Sequence, residues 1–254
     1  MRDPAPSGSA VLQADNVSKR FGGNTVFADV SLSLGDKEIV GVIGPNGAGK
    51  TTLINILSGQ LEPTAGRVRL RGGDVTGVSL AKRAKLGVVR TFQQTKTFKS
   101  GTVEENLRRA QMFSGSNLRM DEPYVRALLD RAGLLARLDH LSDTLPYGMQ
   151  KMLGLIMAIL TKPGVLLLDE PAAGLERSER FFIDDYVAAV VRELGASVLL
   201  VEHDMELVKR LCPRIAVLDG GRLIAEGPPA EVLSRRDVIE AYLGTADEED
   251  LADA

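Results

Sequence analysis

"EIVGVIGPNGAGKTTLINILSG", residues 38–59, decides the fold. Its first six residues are an apolar run of the kind that forms a strand buried on both faces. Its last ten residues favour a helix, closed by Gly59. Between them "GPNGAGKT", residues 44–51, fits the pattern G-x-x-x-x-G-K-[ST] without a mismatch. Glycines let the backbone curl until several N–H groups converge on phosphate oxygens, and the positive end of the next helix adds to the attraction. With 26 glycines in the chain, glycine alone says little. The strand before and the helix directly after carry the reading. Asn46, Gly47, Ala48, Gly49, Lys50, Thr51 and Thr52 are therefore candidate nucleotide-binding residues. Lys50 supplies a point charge to the β- and γ-phosphates, and the Thr51 hydroxyl can ligate Mg²⁺.

Outward from this stretch, "VLQADNVSKRF" and "VFADVSLSL" alternate apolar and polar residues as half-exposed strands do. "GRVRL" and "GVVRTF" read as further strands. From about Val103 to Leu160 three segments favour helix and strand signals vanish. "GVLLLDE" and "ASVLLVEH" then return as buried strands, separated by the helical "LERSERFFIDDYVAAVVREL". "RIAVLDGGRLIAEG" predicts a hairpin turning at Gly220-Gly221. This alternation implies an α/β fold with a mainly parallel sheet covered on both faces. The expected organisation is a disordered leader over 1–10, an α/β core over 11–92 and 161–244, a helical insert over 93–160, and an acidic disordered tail over 245–254.

The 254 residues suffice for one large domain or two small ones. The 34 acidic and 31 basic residues leave a net charge of −3, so no basic excess draws the whole chain onto nucleic acid or anionic lipid. No apolar run approaches the roughly 20 residues of a membrane-spanning helix. The single cysteine, Cys212, can form no internal disulfide and reads as a plain helix residue.

"VLLLDEP" ends an apolar strand with two carboxylates, Asp169 and Glu170. Ligands in open α/β sheets bind at strand C-termini, which is where two such groups have a use. Asp169 is the candidate Mg²⁺ carboxylate. Strand alternation turns Glu170 the other way, where it can polarise a water that attacks phosphorus. An aspartate that merely caps a helix is the plainer alternative. "VLLVEHDM" repeats the pattern with Glu202, His203 and Asp204, and His203 is the candidate γ-phosphate contact.

In this order the motifs resemble those of the ATP-binding cassette subunits of ABC transporters, over about residues 11–244. The resemblance implies a P-loop NTPase core with an antiparallel N-terminal β portion and an inserted helical subdomain. It further implies that Phe21, in "SKRFGG", stacks on adenine. Gln93, in "RTFQQ", would touch Mg²⁺ and the attacking water. "AAGLE", residues 172–176, would cross a dimer interface, with Glu176 where aspartate is more usual. "LGVVRTFQ", "TVEENL", "PAAGL", "EHDM" and "VIEAYLG" look most like the branched-chain amino acid uptake group. A lipopolysaccharide-type or other exporter cassette, and a weakly hydrolytic regulatory or soluble ATPase, are the alternatives.

Members of this family act as head-to-tail dimers in which an L-S-G-G-Q signature completes the partner's ATP site. The matching residues here are Leu145, Pro146, Tyr147, Gly148 and Met149. Pro146 has neither hydroxyl nor N–H, and Met149 replaces an amide by a thioether. Gly148 keeps an N–H for phosphate. The resemblance implies ATP and Mg²⁺ as cofactors and a homologous second cassette as partner, in a heterodimer or a homodimer. It also implies transmembrane permease subunits, an external solute-binding protein, and a peripheral place on the cytoplasmic face of the inner membrane.

Overall fold

The computed structural model describes residues 10–91, 97–115 and 117–242. The expected leader (apart from Ala10) and acidic tail lie outside them, as does Gln93. Two compact units are present: one runs to Arg83 and resumes at Leu199, and the other spans Ala84 to Val198.

The first unit opens with β1 (Leu12–Phe21) and β2 (Asn24–Leu34), an antiparallel pair that turns at Gly22 and Gly23. β4 (Ala65–Leu70) pairs with the other edge of β1, and the short β5 (Gly73–Asp74) pairs with β4. The order is β2-β1-β4-β5. Alternate residues Leu12 and Ala14, and Leu32 and Leu34, are buried, as expected of strands with one dry face.

The second sheet of this unit is built on β3 (Ile39–Ile43), which pairs in parallel with β9 (Arg214–Asp219). β9 pairs antiparallel with β10 (Arg222–Gly227) across Gly220 and Gly221, at φ 50° and 73°. Two left-handed residues suit the twist of a tight hairpin. β3 also adjoins β8 (Ser197–Val201). Gly41 in β3 is tightly packed: a Cβ there would lie 3.1 Å from Cys212 Sγ and from Ile215 Cγ2, so those side chains would have to give way. Helix α1 (Lys50–Ser58) follows β3 and ends at Gly59 in the left-handed conformation. A helix not foreseen, α2 (Leu80–Lys85), delivers Arg83 to the end of α1. α7 (Met205–Leu211) and α8 (Pro229–Val232) complete the unit, with residues 236–242 again helical. Cys212 is the residue after α7 rather than a member of it, and is buried.

In the second unit β6 (Val88–Arg90) and β7 (Val165–Asp169) pair in parallel. β6 is shorter than the "GVVRTF" run, and residue 92 lies outside the described residues. Four helices surround them: α3 (Val103–Ser114), α4 (Pro123–Arg131), α5 (Tyr147–Leu160) and α6 (Arg177–Leu194). α3 begins with a capping box, in which Thr102 Oγ1 accepts from the Glu105 amide and Glu105 accepts from the Thr102 amide. α6 begins likewise with Glu176 and Glu179. Every residue of β7 is buried, which matches its unbroken apolar sequence.

Candidate nucleotide site

The first unit carries the phosphate loop. Gly44, Gly47 and Gly49 stand at φ 150°, 76° and 100°, conformations that L side chains adopt only with strain. At Gly44 space adds to the requirement, because a Cβ would lie 2.0 Å from the Leu218 carbonyl oxygen. The loop closes on itself through Lys50, a buried side chain whose Nζ donates to the carbonyls of Gly44 at 2.7 Å and Pro45 at 2.8 Å. This holds the ammonium under the loop. α1 starts at Lys50 with no side-chain cap and no acidic residue in its first turn, so its positive end is open to an anion. Asn46, Gly47 and Thr51 are exposed, Gly49 and Thr52 half-buried, and Ala48 is packed inside.

Phe21 ends β1 and is 52% exposed, and Lys19 Nζ sits 5.0 Å from its ring centroid. An exposed aromatic face of this kind can take a planar base. His203 is exposed just beyond β8. Two neighbours that looked like part of the same acidic edge do local work instead. Glu202 is buried, and its carboxylate accepts from the amides of His203 at 3.0 Å and Asp204 at 3.4 Å. Asp204 caps α7 by accepting from the amides of Glu206 and Leu207.

The second unit carries the paired carboxylates. Asp169 is the last residue of β7, and Arg90, at the end of the paired strand β6, donates from Nη2 to Asp169 Oδ2 at 2.7 Å. The two side chains are 4% and 6% exposed, so the pair is desolvated and strongly oriented. Sequence reading passed over Arg90, because an arginine closing a short strand carries no local mark of its partner 79 residues away.

The strand-alternation argument for Glu170 does not survive. β7 ends at Asp169, and Glu170 lies in the left-handed region at φ 48°. Its direction is set by a turn in which the Ala173 amide donates to the Glu170 carbonyl at 3.1 Å.

The stretch 145–149 runs into α5. Pro146 is the residue before its first turn, Tyr147 is half exposed, and Gly148 is buried. A Cβ on Gly148 would collide with the Glu179 carboxylate, and one on Gly174 would meet the Tyr147 ring at 2.7 Å.

Among the described residues no cluster of three or more His, Cys, Asp or Glu could hold a metal.

A family model described as ABC transporter matches residues 27–173. The chain belongs to the ABC transporter ATP-binding family. A second model, described as branched-chain amino acid ATP-binding cassette transporter, matches residues 222–248 of this cassette. The high-affinity branched-chain amino acid transport ATP-binding protein LivG of Salmonella typhimurium is 40% identical over 251 residues, covering 93% of this chain and 98% of its own. BraF of Pseudomonas aeruginosa, with the same description, is 38% identical over the same shares. A crystal structure of the ADP conformation of an ATP-binding cassette of an ABC transporter superposes with a TM-score of 0.80 at 30% identity, covering 92% of this chain and 99% of that one. The cassette fold and the ATPase class of this chain follow from these matches, and the mixed antiparallel and parallel sheets are those of that fold.

Proposed function

We propose that this cassette hydrolyses ATP to power uptake of branched-chain amino acids or related small amides through separate permease subunits. The observation that carries the reading is the pair of branched-chain relatives, 40% and 38% identical across 98% of their own lengths. The cassette works in a dimer with a homologous second cassette, peripheral to the cytoplasmic face of the membrane, beside an external solute-binding protein. The core over 11–92 and 161–244 holds nucleotide, and the insert over 93–160 presents the signature turn.

In this reading Phe21 stacks on adenine. The amides of 46–52 and the Lys50 ammonium cradle the phosphates. Thr51, Asp169 and Gln93 would hold Mg²⁺, which would supply positive charge beside the phosphate oxygens. Glu170 accepts a proton from the attacking water, and His203 steadies the γ-phosphate. Arg90 keeps Asp169 aimed through its Nη2–Oδ2 bond. The Gly148 amide serves the nucleotide held by the partner. A lost charge-assisted hydrogen bond at Pro146 is worth roughly 1.5–3 kcal/mol. With a partner that carries a full signature, the two sites are therefore unequal, and the site using Lys50 and Glu170 is the faster.

The test is ATP turnover and leucine uptake by the complex reconstituted in vesicles. Glu170→Gln should nearly abolish both, while Pro146→Ser should change them only modestly. Equal and large effects would count against unequal sites. Turnover with no stimulation by any branched-chain amino acid or small amide would count against the solute class.

A further inference from the structure

Lys50 and Lys151 are the two buried lysines among the described residues. Lys50 belongs to the phosphate loop. Lys151 lies one turn into α5, is 4% exposed, and takes no part in the chemistry described above. An ammonium so far from water is costly unless it is hydrogen-bonded. Its Nζ donates to the Glu170 carbonyl at 2.8 Å and to the Ala173 carbonyl at 2.5 Å. Both carbonyls belong to the turn that follows β7.

That turn contains the strained residue. A side-chain-bearing residue in the left-handed region is strained and stays there only when its surroundings over-determine it. Glu170 at φ 48° is such a residue. Its carbonyl direction and its Cα–Cβ direction are joined through the same α-carbon, so holding the one restrains the other. Lys151 supplies a charged donor to that carbonyl where the Ala173 amide alone would supply a neutral one.

We propose that Lys151 is a positioning residue for Glu170, reaching from the second turn of the signature helix to hold the glutamate backbone in the conformation that aims its carboxylate. The proposal rests on the reading of Glu170 as the hydrolytic carboxylate. It is reinforced by two contacts beside it: Tyr147 lies against Gly174, and Gly148 against the Glu179 carboxylate that accepts from the Glu176 amide at 2.9 Å. The first two turns of α5 thus touch the segment from 170 to 179 at three places. A shift of the signature turn is passed to this chain's own carboxylate.

The experiment compares K151M, K151R, K151Q and E170Q in the transporter complex reconstituted with its membrane subunits and second cassette. A misplacement of about 1 Å can cost about a hundredfold in rate. K151M should lower kcat by about tenfold to a hundredfold while the KM for Mg-ATP stays within about twofold. K151R keeps a charged donor for both carbonyls and should recover most of the loss, with K151Q in between. In the E170Q background K151M should lower the residual rate no further. If K151M does not accumulate as folded protein, the contrast between K151R and K151Q decides. Parent-like kcat for K151M, or K151R as slow as K151Q, overturns the proposal, as does a further loss in the E170Q background. Parent-like turnover by E170Q would instead bring down the Glu170 reading and this proposal with it, an outcome recognisable from that variant alone.

Discussion

Replacing Arg83 by lysine should destabilise the chain far more than a conservative surface change. The side chain is fully buried, and all five guanidinium N–H groups point at backbone carbonyls. Nε donates to Val78 at 2.9 Å, Nη1 to Ile56 and Leu57 at 2.8 Å each, and Nη2 to Val75 at 2.5 Å and Thr76 at 2.9 Å. Burial pulls its pKa down to about 10, so the charge is retained at neutral pH and sits at the negative end of α1. A lysine has three donors on one atom and can serve at most three of these carbonyls. Two of the carbonyls then lose a charged donor, worth about 1.5–3 kcal/mol each, so Arg83→Lys should lower the unfolding free energy by about 3–6 kcal/mol. Arg83→Met removes every donor and should cost more, a large share of the roughly 5–15 kcal/mol that a folded chain has. Urea unfolding at pH 7.5, followed by circular dichroism, reads the effect as a lower midpoint at unchanged slope. A lysine variant within about 0.5 kcal/mol of the parent would refute the accounting of donors.

Three further outcomes are expected. Burial alone would raise the Glu38 carboxyl, but the paired Arg214 bonds, 2.8 Å each, and the Gly35 amide hold it below its usual 4.5. Its contribution to stability is therefore present above pH 4.5 and is lost as pH falls through the lower folded value; Glu38→Gln should flatten that acid limb in an unfolding series. Burial pushes the Cys212 thiol up to about 12, helped by the charge of Glu202, so a thiol reagent at pH 8 should leave the native chain unmodified and label one site after denaturation. Rapid stoichiometric labelling of native protein would contradict that. Gly44→Ala places a Cβ 2.0 Å from the Leu218 carbonyl oxygen and forces the loop to move, so nucleotide titration should show affinity down by at least about tenfold.

The fold was legible wherever a pattern is local. A buried run ending in glycines and a helix marked the phosphate loop, and Gly220-Gly221 between alternating runs marked the hairpin. What escaped depends on partners far along the chain. Arg83 sits in "SLAKRAKLG", which reads as an exposed charged turn, yet its carbonyls come from residues 56, 57, 75, 76 and 78. α2 itself has six residues and no apolar period to announce it. Arg90 and Lys151 look like ordinary surface cations until their partners, 79 and 19 residues on, are brought beside them. The argument for the direction of Glu170 failed for the opposite reason: a local rule, strand alternation, was carried one residue beyond the strand's end.

Pro146 has a consequence that its missing hydroxyl conceals. It stands at φ −52°, and Leu145 before it is extended at φ −72°, ψ 150°, as proline demands of both positions. Its carbonyl still accepts the first bond of α5, from the Gln150 amide at 3.0 Å. A proline at a compatible position takes about 0.4–1 kcal/mol of freedom away from the unfolded chain. That gain is in folding stability and does not replace a hydrogen bond to phosphate. In the dimer proposed above, the turn would meet a second cassette already in shape, with little order left to acquire on binding.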